Sequence, residues 1–285
     1  MSPSRQQGVA LITVLLIMAL ALLLAGNLLR SHRLALQGTT QSLHQVQLRQ
    51  WAIAAEGWAA QLLQEPGPAS RNVNLSQEWA RRPLPLVLPG VELHLQIEDL
   101  AGRFNLTPLL APGKADEIAW ARWARLLARL GIAAIDLAPL RGVEVRDLSQ
   151  LRLLPDMDAS SLRRLEPWVA LLPLEAPLNV NTSRALLVSI LEDMSESEAQ
   201  MLIERRPLDG YPDAGTFALV SGLKGRGISA HGLGVASRWF RITAEVAAGS
   251  SRLRLVSDLE LDPKTRQARV VQRRFLSPIQ GEPLP

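Results

Sequence analysis

The sequence predicts an α+β fold: a long N-terminal helix, an antiparallel sheet and a large α-helical insertion. Three observations carry it. An uncharged apolar run fills residues 9–29. Strict alternation of apolar and polar residues marks 91–98 and returns in three runs after 237. Between 112 and 230 the apolar spacing is helical and broken into short pieces.

The N-terminal run is VALITVLLIMALALLLAGNLL, with Thr13 and Asn27 its only polar side chains. As a helix it extends about 31 Å, the thickness of a hydrocarbon core. The segment therefore reads as membrane-inserted. Three processing readings compete. A cleaved secretory signal needs a shorter apolar region and small residues after it, which Ala25-Gly26-Asn27 only faintly supplies. A plain signal anchor needs no cleavage. The third puts the cut before the apolar run, between Gly8 and Val9, after a short leader with one arginine, Arg5. The short N-terminal side favours N-terminus in and bulk out, although flanking charges decide little.

Helical spacing continues beyond the apolar run. Trp51, Ala55, Trp58 and Leu62 share one face, and Pro66-Gly67-Pro68 is a firm stop. One helix is expected from Val9 to about Leu63. Residues 91–98 alternate as a half-buried strand; Gly102 supplies a turn, and Asn105 fixes backbone through its side chain. Residues 118–130 form an amphipathic helix ended by Gly131, with Arg122, Arg125 and Arg129 on one face. That face is expected in solvent, with partner contact as the other reading. Two further helices are expected at 147–154 and 160–172. Thr182 or Ser183 should cap a helix over 184–191, and Ser195 with Glu198 forms a capping box for the next. After a glycine-rich stretch at 221–234, strands are expected at 239–246, 252–261 and 269–275. They form a meander with one apolar face and one arginine-rich or acidic face. The early strand should pair with this meander, and the tail from 277 on reads as loose.

With 285 residues, 47% hydrophobic and 20% charged, the bulk can bury a core. The absence of cysteine removes disulfides, thiolate metal sites and cysteine nucleophiles. The four histidines, His32, His44, His94 and His231, are scattered. A net charge of +4, spread along the chain, is unlike a nucleic-acid stripe.

Four ordered blocks then resemble one family: GVALITVLLIMAL at 8–20, IEDLAGRFNL at 97–106, LRLLP at 151–155 and PLNVNTS at 177–183. Together with the layout they resemble the K-type minor pseudopilin of the bacterial type II secretion system, over nearly the whole chain. The resemblance implies a type IV pilin-like fold with a helical insertion. It divides the chain into a prepilin leader (1–8), a transmembrane and stem helix (9–64), a pilin-like domain (65–111 and 235–285) and an inserted helical domain (112–234). It implies that prepilin peptidase cuts after Gly8 and leaves Val9 as the mature, methylated N-terminus. Ordinary pilins carry Glu at the fifth mature position to neutralise a neighbour's ammonium in lipid, where an unpaired charge is costly. Here that position is Thr13, as suits a subunit with none ahead of it; equally, Thr13 satisfies itself on backbone. The implied partners are the I-, J- and H-type minor pseudopilins, the pseudopilus, prepilin peptidase and the inner membrane, with the bulk of the chain in the periplasm. Many relatives carry an acidic loop suited to calcium. Here only Asp136, Glu144 and Asp147 lie between 130 and 151, with Asp156 and Asp158 beyond, so no cofactor is expected and calcium is disfavoured.

Two other classes were weighed. PLNVNTS, two helices and ERRPLDGY also resemble the helix-hairpin-helix domains of membrane-anchored DNA-binding proteins. Those hold phosphate with backbone N–H groups of a glycine-rich hairpin. Here the junction carries Glu192, Asp193, Glu196 and Glu198 and no glycine, so nucleic acid is not an expected partner. An enzyme is not expected either: there is no G-x-S-x-G, P-loop or H-E-x-x-H, and no histidine sits in a recognisable context.

Overall fold

The computed structural model describes residues 4–65, 72–81, 89–113, 116–192, 194–220, 229–249 and 251–276, with side chains in the first helix described at 14–31 and from 43 on. The expected stop at 66–68, most of the glycine-rich stretch (221–228) and the tail (277–285) lie outside the described residues. Helix α1 runs unbroken from Ser4 to Gln64, as the continuous apolar and helix-forming sequence requires. A short α2 (Glu78–Arg81) leads to β1 (Val91–Asp99). The helical body follows with β2 (Phe104–Asn105), α3 (Thr107–Leu110), α4 (Glu117–Arg129), α5 (Ala159–Leu165) and β3 (Val169–Ala170). It continues with β4 (Leu178–Asn179), α6 (Ala185–Ser189), α7 (Glu196–Glu204), α8 (Ala214–Ala218) and β5 (Leu233–Gly234). The chain then returns as β6 (Trp239–Ala248), β7 (Ser251–Leu261) and β8 (Ala268–Leu276).

The early strand does pair with the late meander. The main sheet has the order β1-β6-β7-β8, antiparallel throughout, with β1 and β6 in register from Val91 opposite Ala248 to Asp99 opposite Phe240. The body is thus inserted between neighbouring strands. It has its own core, which begins at Phe104 and includes Trp123, Leu126, Leu137, Leu151, Leu165 and Phe217. Two pairs of short parallel strands, β2 with β3 and β4 with β5, tie it to itself.

One face of the sheet is covered by α1, in two clusters that bring Leu48, Ala52, Ala55, Ala59, Leu62 and Leu63 onto β6 and β7. The opposite face carries cross-strand ion pairs, Arg241 with Asp258 at 2.6 Å and Arg254 with Glu245 at 3.1 Å. These pairs stand directly opposite each other in the ladder. The two-faced meander is therefore as expected.

Four local expectations are corrected. The buried stripe of α1 is the alanine stripe, with Trp51 and Trp58 only half-buried at its flanks; small side chains let the helix lie close on the sheet. Residues 148–153 form a 3-10 turn. The helix expected to reach 172 ends at Leu165, because Pro167 lacks an N–H and Val169 and Ala170 pair with β2. Neither Thr182 nor Ser183 caps α6: its N-cap is Arg184, without a side-chain bond. The Ser195–Glu198 capping box on α7 is present as read.

Several caps are carboxylates. The Ser161 amide and Ser160 hydroxyl hold Asp158 down to about 2, and Asp213 and Asp262 are likewise lowered by the amides they accept. A lowered folded-state pKa stabilises above the ordinary value and is lost as pH falls through the folded one. Asp158→Ala should therefore lower the melting temperature at pH 7 and leave it unchanged near pH 2. An equal shift at both values would show that Asp158 acts otherwise than as a charged cap.

Candidate functional site

Of the long helix, Val14–Ser31 is apolar with a mean hydropathy of 2.1 and none of it is buried. Leu15, Leu16, Ile17, Leu22, Leu23 and Leu24 all point outward uncovered. A rod this apolar and this bare has the length to span lipid. Gly8, Val9 and Thr13 lie in the first turns of α1, and their side chains are outside the described ones. With a rise of about 1.5 Å per residue, Thr13 lies about 50 Å along the helix from Leu48, the first of the described α1 side chains to be buried on the sheet.

The grip of α1 on the sheet includes a charge. Glu56 is 4% exposed amid the alanine stripe. It accepts from Arg273 of β8 through both oxygens, at 2.9 and 2.5 Å, and from the Ser257 hydroxyl of β7. This fixes α1 in both axial position and rotation on β7 and β8. Arg266, with a left-handed φ of 58°, donates to the Leu63 carbonyl at 2.9 Å and satisfies one of the last free carbonyls of α1.

Sheet and helical body meet at a buried polar joint, built from two of the sequence blocks singled out above. Asp99, at the end of β1, accepts from the Ala101 amide (2.9 Å), Asn179 Nδ2 (2.7 Å) and the Thr182 hydroxyl (2.7 Å). Burial pushes its carboxyl up; hydrogen bonds from Ser237, Thr182, Asn179 and Ala101 act the other way. Gly102 is required there: a Cβ would sit 2.9 Å from Thr182 Oγ1 and 3.2 Å from its backbone. Asn105 fixes backbone as expected, donating to Pro173 and accepting from the Thr107 and Leu172 amides. Asn181 exchanges two bonds with the Tyr211 backbone, and Gly210 (φ +70°) leaves room for it, since a Cβ would lie 2.7 Å from Asn181 Cγ. Arg206 donates to the Asn181 and Ser183 carbonyls, and burial pulls its pKa down to about 10. Outside the joint, Arg103 holds Glu98 with two bonds and reaches the Glu166 carbonyl.

The arginine face of α4 is only partly in solvent: Arg122 is buried, Arg125 half-buried and Arg129 exposed, and all three guanidiniums are used by the body. Buried Arg122 donates to the Ser229 and His231 carbonyls, Arg125 to those of Ile190 and Leu191 just beyond α6, and Arg129 to that of Met194. Guanidiniums here satisfy carbonyls at chain turns, including those a helix end leaves open. His231 adds a 2.8 Å contact to Asp116. The acids weighed for calcium are mostly used locally. Asp136 and Asp158 accept from backbone amides, Glu144 pairs with Arg146, and Asp147 caps the 148–153 turn and reaches Gln272 and Arg274. Among the described residues no group of three His, Asp or Glu is arranged to hold a metal ion. At the α6–α7 junction, the Glu198 amide, the Ser195 hydroxyl and the half-buried Glu198 carboxylate are taken by the capping box, with the exposed Glu196 beside them.

A crevice of about 320 Å³ opens where the body overhangs the charged face of the sheet; Leu148, Leu172, Trp239, Arg241, Val271 and Arg274 are among its walls. It is closed at one side by Asp147, which receives Gln272 and Arg274 of β8 at 3.2 Å each.

The family model for type II secretion system protein K matches residues 178–236, from β4 to just beyond β5. The chain is 29% identical to type II secretion system protein K of Pseudomonas aeruginosa, over 90% of this chain and 89% of the relative. It is 29% identical to protein K of Klebsiella pneumoniae and 28% to that of Pectobacterium carotovorum, each over 95% of this chain and 97% of the relative. Its fold is similar to that of a chain in the crystal structure of the GspK-GspI-GspJ complex from enterotoxigenic Escherichia coli. The TM-score is 0.71 and the identity 22%, over 84% of this chain and 99% of that one.

Proposed function

We infer, from its similarity to type II secretion system protein K over nearly the whole chain, that this chain works as a minor pseudopilin. The observation that carries the reading is the shape of α1. A bare apolar rod, Val14–Ser31, continues without a break into a stem packed on a four-stranded antiparallel sheet. Such a subunit is held by lipid at one end and presents a folded body at the other. Its work is binding rather than catalysis: with I- and J-type minor pseudopilins it primes and caps a short filament, the body lying in the periplasm. The domain division at 8, 64, 111 and 234 belongs to this proposal, with Phe104, Leu106, Leu109 and Leu110 packing in the core of the inserted body, as does the absence of a resident cofactor. Thr13, in place of an acid, suits a subunit that leads the filament, since no ammonium ahead of it needs a counter-charge in lipid.

The test is the mature N-terminus. Mass spectrometry on the protein from cells with and without prepilin peptidase should find Val9 as the first residue only where the enzyme is present. Gly8→Val should abolish processing, because the pocket at the cut takes a residue without a side chain. A start at Met1 or Ser2 in both strains would leave a plain signal anchor and sink the reading.

A further inference from the structure

We propose that the free edge of β8, with the crevice beside it, takes up an extended acidic segment of a companion pilin-like subunit anchored in the same membrane, which joins the sheet as a fifth strand. The proposal rests on the minor-pseudopilin reading. Among the described residues no strand pairs with the outer side of β1 or of β8; α2 packs near β1, and α1 and Asp147 of the body reach β8. Sheet edges are usually blunted, because unpaired N–H and C=O groups invite another strand. The register of β8 breaks once, between Asp258 and Leu259 of its partner, and is regular from Gln272 to Leu276. Val271 is 60% exposed, and Phe275 and Leu276 are exposed beside it. Ala268–Leu276 holds three arginines and no acid; Arg269 pairs with Glu260, Arg273 with Glu56 and Arg274 with Asp147. At the mouth of the crevice the side chains of Arg146 and Arg269 are 79% and 76% exposed, so each keeps an open side beyond its own ion pair.

Strand addition of this kind draws affinity from main-chain hydrogen bonds and specificity from pockets that accept alternate side chains. Here Leu148, Leu172, Trp239 and Val271 offer the apolar pocket and the two arginines meet carboxylates. The placement of β8 selects the occupant. Arg273 binds Glu56 of α1, and Arg49 of α1 stacks over the Phe275 ring at 5.4 Å. A strand added at β8 therefore runs beside the stem that leads into the lipid, where a subunit anchored in the same membrane presents its own body.

The full chain in detergent, titrated with purified I- and J-type minor pseudopilins, tests this. Val271→Glu and Arg269→Glu, both at exposed positions, should weaken binding about tenfold or more while circular dichroism stays unchanged. The amides of 272–276 should exchange more slowly in the complex. Since the protein has no cysteine, Val271→Cys carrying a thiol-directed photo-crosslinker labels one place only, and should capture an acidic extended segment of the partner. Binding that survives both charge substitutions, or a crosslink to a second copy of this chain, overturns the proposal and leaves the reading of function standing. Failure of the unaltered chain to bind any minor pseudopilin overturns that reading itself.

Discussion

Arg273→Ala should lower stability by about 3–5 kcal/mol, the usual cost of leaving one member of a buried ion pair alone. The two members of this pair are not equivalent. The side chain of Glu56 is 6% exposed and that of Arg273 39%. Without the guanidinium, the Glu56 carboxylate keeps only the Ser257 hydroxyl as a protein partner. Without the carboxylate, the guanidinium can turn outward. Glu56→Ala should therefore cost less, about 1–3 kcal/mol, mainly for the Ser257 hydroxyl left without its partner. Thermal unfolding followed by circular dichroism at pH 7.5 measures both costs. Equal costs for the two variants would mean that the pair is solvated and does not fix α1 on the sheet.

Asp99→Ala should be nearly as damaging, about 3–5 kcal/mol, since the donors to its carboxylate, of which Thr182 is only half-buried, lose their acceptor at about 1–3 kcal/mol each, less some relaxation. The donors come from both sides of the joint: Ala101 from the turn after β1, Asn179 and Thr182 from the body. Gly102→Ala attacks the same place by crowding, because the added methyl meets the Thr182 backbone as well as its hydroxyl. The two changes share Thr182, so their costs should not add. Urea denaturation of the single and double variants checks this. Strict additivity would separate the carboxylate from the close approach and dissolve the joint as a unit.

The expectations that held were the local and periodic ones. The long helix, the four strands and the α7 capping box needed only spacing, alternation and a pair of cap residues. Two of those that failed depended on distant partners, whereas the helix expected to reach 172 failed on Pro167, in plain view in the sequence. The arginines of α4 look like a solvent face because a charged stripe is usually one, and nothing within their own helix announces the carbonyls of 190–194 and 229–231. Thr182 and Ser183 have the chemistry of caps, but the Thr182 hydroxyl goes to Asp99 and that of Ser183 to the Asn179 carbonyl. Gly8, Val9 and Thr13 are legible only through the family resemblance, since their chemistry is performed on them by other molecules.

By itself the sequence determined the apolar anchor, the strand and helix periods and the order of the segments, because these follow from neighbours within a few residues along the chain. Only the tertiary structure decided that the blocks at 97–106 and 177–183 close on one buried carboxylate, that Glu56 meets Arg273 across more than two hundred residues of sequence, and that β8 is left as an open edge. Burial is the physical reason. A polar or charged side chain gains its role from what replaces water around it, and in this chain those replacements come from segments far apart in sequence.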